Sequence, residues 1–323
     1  MMARVSRFRI PPPSDWILLG RPALEWVYLA AMTLLGVNEM RGMAPGGATN
    51  TVEQFVAAGQ LTIGLTAIGA VLATLRGWRS GLRFLWLFAA AACITAPLAT
   101  QKYDAAPQTD AVLAALGALV VSVAVLWYGR RRLHAAITRR VWPEMLAEHA
   151  AAADAFAATI GALTPEQWTA RPGPEAWSPA EITDHLARTY SQYAGEARGK
   201  NPLRIRLRLP FLLFARAFVK PRLLGGAPFP KAKAPRSLRP GVGPDTPADG
   251  VALFRATGAA CLRDLGLLAE RRPYRQLVHP YLGALPLYDM VRFAAQHIRH
   301  HHRQVLAAIA APPSKEASDV VSP

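Results

Sequence analysis

The spacing of apolar and polar residues divides the chain into two halves with different patterns. The first half contains four long apolar stretches separated by short polar breaks: Pro22–Met40, Phe55–Leu75, Leu82–Thr100 and Ala111–Tyr128. Each stretch is close to the roughly 20 residues that a helix needs to cross a bilayer. The pattern therefore predicts a membrane domain with four transmembrane helices over residues 1–140.

The positions of arginine orient these helices. Arginine is concentrated before the first stretch, in the turn between the second and third, and after the fourth. The loops at the opposite ends, Arg41–Gln54 and Gln101–Asp110, are nearly balanced in charge. Because positively charged loops stay in the cytoplasm, the pattern predicts a multi-pass protein of a bacterial-type inner (cytoplasmic) membrane, with both termini in the cytoplasm.

The net charge is +16, from 37 Lys and Arg against 21 Asp and Glu. Such an excess is typical of proteins that bind nucleic acid or anionic lipid, or that carry cytoplasmic membrane loops. The arginines beside the apolar stretches account for much of it, and neither a helix-turn-helix nor an aromatic platform is evident, so nucleic-acid binding is not predicted. The expected partner is the lipid bilayer, and a second copy of the chain is a further candidate.

From about Val141 the apolar spacing changes to that of amphipathic helices. Helices are predicted from Pro179 onward and over Trp142–Leu163, Asp249–Glu270 and Leu285–Ala310. The chain is therefore predicted to be all-α, with four transmembrane helices followed by a helical bundle at residues 141–311. The tail at residues 312–323 is small and polar, and we expect it to be disordered.

One segment of the second half has a different pattern. Leu203–Leu209 alternates strictly between apolar and basic residues, which on its own predicts a strand. Apolar residues and further lysines and arginines follow as far as Leu224. Two interpretations of residues 203–224 remain open: a helix or hairpin that covers a site in the bundle, or a basic amphipathic stretch that lies on the inner leaflet.

The candidate chemistry is concentrated in Gln296–Gln304, which holds four of the chain's eight histidines. His297 and His301 are four residues apart, so on a helix they lie one turn apart on the same face. Two imidazoles at this spacing can hold one metal ion. The pattern also fits a solvated basic helix end, or histidines that hydrogen-bond to core carboxylates, and these residues alone leave the alternatives open.

A further histidine lies in an earlier helix. Ser178 is a good N-cap, Pro179 stands at the first helical position and Glu181 at the third, which together predict a capping box. His185 follows one turn later beside apolar residues. A lone histidine on an apolar face is more often structural, but a facing helix with the histidine pair could complete a metal site, as helical bundles do with inward side chains.

Two motifs carry a resemblance to a known family. Trp177–Leu186 (WSPAEITDHL) resembles the second-helix signature of the DinB-like superfamily, and His297–Gln304 (HIRHHHRQ) resembles its fourth-helix signature. Phe229–Pro235 and His279–Gly283 are similar to loops that are common in this superfamily. The resemblance covers the second half of the chain and not the membrane half.

The resemblance implies a four-helix bundle with one divalent metal ion (zinc, nickel or iron) held by His185, His297 and His301. This chain has His302-Arg303 where the family often has Arg-Gly, a departure that keeps the ligand spacing. Ligating histidines usually donate their other ring N–H to an acceptor. We therefore expect supporting residues among Glu181, Asp184, His300 and Gln304, and the sequence assigns no general base, so the catalytic residues stay open.

By resemblance, the activity would be metal-dependent transfer of a low-molecular-weight thiol to an electrophile, or hydrolysis. Three neutral imidazoles leave an ion its full charge and an open position, where water or a thiol can be acidified. The membrane half suggests an apolar substrate. The rival hypothesis is a non-catalytic membrane-bound metal or redox sensor or interaction module, although Cys93 and Cys261 lie in apolar segments, whereas a redox sensor would be expected to expose them.

Overall fold

The structure is a computed structural model, and it describes residues 17–18, 21–41, 51–100, 108–173, 175–200, 202–204, 208–230 and 234–310. The predicted tail at 312–323 and most residues of the loops Arg41–Gln54 and Gln101–Asp110 lie outside the described residues, as do residues 205–207. The chain divides between Ile137 and Thr138 into two compact units. Each unit is described by itself.

The first unit consists of helices joined by short connections. A two-residue strand pair, Ile17–Leu18 (β1) with Arg21–Pro22 (β2), comes before α1 (Ala23–Arg41), α2 (Thr51–Arg76), α3 (Gly81–Thr100) and the first part of α4 (Gln108–Gly161). Small residues let the helix backbones approach closely. At Gly36, for example, a Cβ atom would lie only 2.9 Å from the carbonyl oxygen of Gly64.

Among the described residues, three helices are long and apolar enough to cross a membrane: α2, α3 and α4. The prediction of four spans is therefore corrected to three candidates. Helix α1 carries Glu25 in its first turn, Glu39 near its end and Arg41 at its last position, and charged side chains are costly in a hydrocarbon core.

Helix α4 is longer than the sequence predicts. The apolar spacing indicates a span that ends at Tyr128 and a separate helix that begins at Trp142, whereas the structure has one helix from Gln108 to Gly161. The 13 residues between these two segments include five arginines, a good helix former, and contain no proline. Pro143 lies inside the helix.

The second unit is mostly helical. After α4 come α5 (Pro165–Thr169), α6 (Pro179–Ala197), α7 (Leu209–Phe214), a π-helical turn (Ala215–Val219), α8 (Lys220–Leu224), a 3₁₀ turn (Arg236–Leu238), α9 (Pro247–Arg271) and α10 (Leu287–Ala310). Side chains of the last part of α4 contact α6, α9 and α10, so these four helices form a bundle. The all-α prediction needs one correction here, an antiparallel strand pair formed by Gln276–His279 (β3) and Gly283–Pro286 (β4).

Side-chain caps determine where α6 begins. The hydroxyl of Ser178 accepts a hydrogen bond from the backbone N–H of Glu181 (3.3 Å), and the Glu181 carboxylate accepts one from the N–H of Ser178 (2.9 Å). This is the predicted capping box, with Pro179 at the first position. Since the cap fixes the first residue of α6, it also fixes which of its side chains face the core.

Aromatic side chains fill the centre of the bundle. Phe156 of α4 lies 4.9 Å from Phe254 of α9, and Tyr190 of α6 lies 5.5 Å from Phe254, between ring centroids. Trp168 is fully buried, and its indole N–H donates to the carbonyl oxygen of Pro244 (2.8 Å). Gly250 lies against the same indole, where a Cβ atom would be 2.4 Å from the ring.

The β3–β4 hairpin fixes the start of α10. The carboxylate of Glu196, near the end of α6, accepts a hydrogen bond from the backbone N–H of Val278 in β3 (2.6 Å). Gly283 begins β4 with φ of 71°, a conformation that glycine adopts without strain. Because α10 follows β4 directly, the hairpin holds the two site-bearing helices α6 and α10 in register.

The strand predicted for Leu203–Leu209 is not found at the residues that the structure describes. Residues 202–204 and 208 have no regular secondary structure, and Leu209 is the first residue of α7. Two physical reasons explain the difference. No described strand lies beside this segment to complete a ladder, and Pro210 suits the first turn of a helix.

We expect Gly250→Ala to destabilise the second unit by about 1–3 kcal/mol, because the new methyl group would overlap the buried Trp168 ring. Gly266→Ala is a matched control in α9, since its Cβ would meet nothing within 4 Å. It should stabilise the unit by about 0.5–1 kcal/mol through helix propensity. Pulse proteolysis of the full chain in detergent across a urea series measures both values, and equal effects would contradict the packing of Trp168 on α9.

Candidate metal centre

Helices α6 and α10 bring three histidine side chains together. His185 extends from α6, and His297 and His301 extend from successive turns of α10. Each offers a ring nitrogen, and these nitrogens all lie within 4.8 Å of one another. Nε2 of His297 lies 3.3 Å from Nε2 of His185 and 3.0 Å from Nε2 of His301. The structure thus brings the ring nitrogens of the three predicted histidines close together.

Two of the three rings are oriented by hydrogen bonds at their outer nitrogen. Nδ1 of His185 lies 2.6 Å from the backbone carbonyl oxygen of Leu238, and Nδ1 of His301 lies 2.7 Å from Oε1 of Gln304. A carbonyl oxygen only accepts, so in both rings Nδ1 carries the proton and donates it. Nε2 of His185 and of His301 therefore presents a lone pair to the centre.

Gln304 also connects the centre to His300. Its amide nitrogen lies 3.2 Å from Nε2 of His300 and donates to it. The half-buried ring of His300 lies 5.0 Å from that of His301, between centroids. Gln304 and His300 therefore lie beside the three histidines, and their supporting role remains a prediction.

Glu181, another predicted supporting residue, makes different contacts. Its carboxylate accepts from the N–H of Ser178 and forms an ion pair with Arg171. Both contacts stabilise the start of α6. Glu181 therefore acts on the centre only through the position of the helix that carries His185.

Asp184 contacts the loop that follows Leu238. Its carboxylate accepts a hydrogen bond from the backbone N–H of Gly241 at 2.7 Å. Gly241 lies three residues after Leu238, whose carbonyl oxygen accepts a hydrogen bond from Nδ1 of His185. Two neighbouring residues of α6 thus hold the same loop, one through a carboxylate and one through an imidazole.

Trp177 forms one wall of the centre. Its ring centroid lies 4.9 Å from that of His185 and 6.1 Å from that of His301. The planes of Trp177 and His301 differ by 21°, so the indole stacks on the imidazole. The indole therefore covers one side of the His301 ring.

Two phenylalanines line another part of the centre. Phe229 stacks on His300 (4.9 Å) and on His297 (5.8 Å), and Phe293 stacks on His297 (5.7 Å), all between centroids. His279 packs edge-on against Phe293 at 4.5 Å and is not one of the three convergent residues. The surroundings of the three nitrogens are therefore largely aromatic.

Burial lowers the pKa of all three histidines from the ordinary value of 6.5, and takes those of His297 and His301 well below it. Neighbouring imidazoles lower the pKa of His297 and His301 further. At His185, the hydrogen bond to Leu238 and the charge of Asp184 oppose the effect of burial. The rings are therefore neutral at neutral pH, which is the form of imidazole that binds a metal.

Two other histidines of the second unit are engaged elsewhere. Nε2 of His302 lies 2.8 Å from the hydroxyl of Thr159 on α4. His149 is buried, and its Nε2 lies 2.7 Å from the hydroxyl of Tyr190. Burial lowers the pKa of His149 to about 4. Both residues contribute to packing between helices.

The carbonyl oxygen of Leu238 is the contact that the sequence did not indicate. Every residue carries a backbone carbonyl, so no residue type signals this role. Trp177 and Phe229 did have a signal, because each begins a segment that resembles the DinB-like superfamily. Phe293 could have been found from its position one turn before His297 on α10.

The donor set limits the chemistry of the centre. Within the part of the chain that the structure describes, no cysteine or carboxylate joins the three histidines as a fourth donor. His185 and His301 are buried, whereas His297 is partly exposed. The arrangement offers three neutral nitrogen donors and leaves further positions to water or a small molecule, as catalytic zinc sites do.

No curated protein matches the chain, and no solved structure does. The family model of the DinB superfamily matches residues 148–305. This segment contains His185, His297 and His301 and all of α6, α9 and the β3–β4 hairpin. Residues 148–305 of the chain therefore form a DinB-like domain.

Proposed function

We propose that the DinB-like domain binds one divalent metal ion through His185, His297 and His301. We further propose that it catalyses a metal-dependent reaction, either transfer of a low-molecular-weight thiol to an electrophile or hydrolysis. The observation that carries the proposal is the convergence of three ring nitrogens within 4.8 Å. Domains of this superfamily usually bind a metal, which supports it.

The hydrogen bonds of the centre fit a cation between the rings. Nε2 of His185 and Nε2 of His301 are both acceptors, and both lie against Nε2 of His297. A proton on Nε2 of His297 can be donated to only one of these two nitrogens. The other buried nitrogen is then left without a hydrogen-bond donor. A divalent ion would accept all three lone pairs, and the outward Nδ1–H bonds are those expected of ligating histidines.

When bound, the ion would supply a Lewis-acid position at which water or a thiol loses its proton near neutral pH. The chain's own residues prepare that position. Leu238 and Gln304 hold two of the rings, and the aromatic rings of Trp177 and Phe293, which pack on different histidines, limit the access of water. These aromatic surroundings favour an apolar substrate over a charged one.

The rival hypothesis is a domain that binds metal only as a sensor or interaction module. The partial exposure of His297 and the three-nitrogen donor set favour chemistry, since structural zinc sites are usually closed by four protein ligands. A redox sensor finds little support at Cys261. This residue is buried, and burial raises the pKa of its thiol to about 12, which disfavours the reactive thiolate.

We also propose that α2, α3 and the first part of α4 anchor the chain in a cytoplasmic membrane. These helices are long and apolar enough to cross a bilayer. They expose large apolar side chains to their surroundings, as lipid-facing helices do: Leu65, Leu72, Trp86, Leu113 and Val120. A lipid bilayer is the partner that such a surface requires.

The arginines give this anchor a direction. Arg76, Arg79 and Arg83 flank the turn between α2 and α3, and Arg130–Arg132 follow the apolar part of α4. If both places are cytoplasmic, the DinB-like domain is cytoplasmic as well. The expectation of a cytoplasmic N-terminus requires α1 to cross too, because three spans would put the two termini on opposite sides.

The metal proposal predicts that the full chain, purified in detergent and incubated with zinc, nickel or iron, retains about one ion per chain after gel filtration. His185→Ala, His297→Ala and His301→Ala should each lose the ion, as measured by elemental analysis. His302→Gln is the matched control on α10 and should keep it, because His302 bonds to Thr159 instead. A metal-free wild-type chain would contradict the proposal, as would equal loss in the control.

The lowered pKa values predict that metal affinity resists acid. Three independent imidazoles of pKa 6.5 would lose about 1,000-fold in zinc affinity at pH 5.5, because each must release a proton first. In this centre protons compete only at lower pH, so we expect a loss below about tenfold between pH 7.5 and 5.5. Competition with a chelator, corrected for the chelator's own protonation, measures this. A 1,000-fold loss would show rings with ordinary pKa values.

The catalytic proposal predicts turnover by the metal-loaded chain of a small thiol with a chromogenic electrophile, or of an activated ester. His185→Ala should reduce it to the uncatalysed background, whereas His302→Gln should retain it. Gln304→Ala, which frees the ring of His301, should cost about 10–100-fold in metal affinity or activity. Tight metal binding without turnover of either substrate class would favour the sensor hypothesis.

A further inference from the structure

Helix α7 and the π-helical turn expose a row of phenylalanines. Phe211, Phe214 and Phe218 are 65%, 58% and 57% exposed, and the spacing of three and four residues places them along one face. Two leucines of α7, Leu209 and Leu213, are also 67% and 58% exposed, on another side of the helix. We call Phe211, Phe214 and Phe218 the phenylalanine face.

The phenylalanine face belongs to an ordered helix whose other side is packed. Leu212 lies against Gly283 of the hairpin, where a Cβ atom would be 3.1 Å from it. Ala215 and Leu223 are buried. Lys220 pairs with Asp289 of α10 at 2.9 Å. The segment is thus held on the bundle with its aromatic side chains directed outward, so their exposure does not result from a lack of structure.

All charged residues in the sequence around the phenylalanine face are basic. Between Glu196 and Asp245 there is no acidic residue, and the basic ones are Arg198, Lys200, Arg204, Arg206, Arg208, Arg216, Lys220, Arg222, Lys231, Lys233, Arg236 and Arg239. Arg204 and Arg208 precede the phenylalanine face and Arg222 follows it, and all three are exposed. The apolar row therefore has exposed positive charge at both ends.

This combination identifies the class of partner. A second copy would bring an equally basic face against this one, and the like charges would repel. Nucleic acid would match the charge but not the leucines. An anionic lipid leaflet matches both features, because apolar side chains enter the boundary between headgroups and acyl chains while arginines pair with phosphates.

We propose that the phenylalanine face docks on the surface of an anionic bilayer. Docking does not require the metal centre. It rests on the proposed membrane anchor only in one respect, since spans in the same chain would keep the domain within reach of a leaflet. Exposed apolar patches of this kind mark interaction sites, and here the flanking charge selects a membrane surface.

The test uses the full chain with Cys93→Ala, reconstituted into vesicles of phosphatidylcholine with about 30% phosphatidylglycerol, an anionic content chosen to engage the arginines. Cys261 can stay, because it is buried and its thiol has a raised pKa. A nitrobenzoxadiazole probe is attached at Ala217→Cys, an exposed position between Phe214 and Phe218 that keeps all three phenylalanines. Probes at Ala256→Cys and Val120→Cys report water and membrane interior.

Docking predicts blue-shifted emission at position 217 and at least a twofold stronger quenching by shallow than by deep doxyl-labelled lipids. The triple variant F211S/F214S/F218S should return this probe to the water-like emission of position 256, and R208Q/R222Q or uncharged vesicles should weaken the quenching. An unquenched, water-like probe at 217 overturns the proposal. So does a blue shift without lipid quenching that grows with the ratio of protein to lipid, which would indicate a second copy.

The Val120 probe separates this proposal from the membrane anchor. Deep quenching at 120 supports the spans whatever happens at 217. No quenching at 120 refutes the anchor, and shallow quenching at 217 would then still support docking by the phenylalanine face alone. Absence of quenching at both positions overturns both proposals.

Discussion

The candidate centre depends on one constraint: three imidazoles must stay uncharged while their ring nitrogens lie about a hydrogen-bond length apart. Burial and the neighbouring rings impose the neutral state, since a proton on one ring would be poorly solvated and close to two others. The contact of α6 with α10 creates this crowding. A shift of one residue along α6 would turn His185 by about 100° and remove it from the group.

The register of these two helices is set outside the centre. The capping box at Ser178 and Glu181 fixes the first residue of α6. The hairpin, held by the bond from Val278 to Glu196, fixes the first residue of α10. These contacts explain why Glu181 matters for the centre without touching it. Within the centre, the hydrogen bonds from Nδ1 of His185 to Leu238 and from Nδ1 of His301 to Gln304 orient the rings.

The sequence predicted those parts of the centre that depend on local spacing. His297 and His301 are one turn apart in any α-helix. Bundle packing made His185, 112 residues before His297, a possible third ligand, and the resemblance to the DinB-like superfamily made the match specific. The carbonyl of Leu238 has no sequence signal. Local pattern also misled in two places: it counted α1 as a fourth span although the helix carries Glu25 and Glu39, and it indicated a strand before Pro210 where no partner strand is described.

The positive charge of the chain is concentrated in two places, and under the two proposals both would contact a membrane. Arginines flank the candidate spans, and a second, wholly basic segment surrounds the phenylalanine face. That segment runs on to Phe229, which stacks on His297 and His300. Under the two proposals, a surface that docks on a leaflet is therefore continuous in sequence with a wall of the metal centre. Docking of this segment would thus hold a wall of the metal centre near the leaflet, which gives a physical reason to attach such a domain to a membrane.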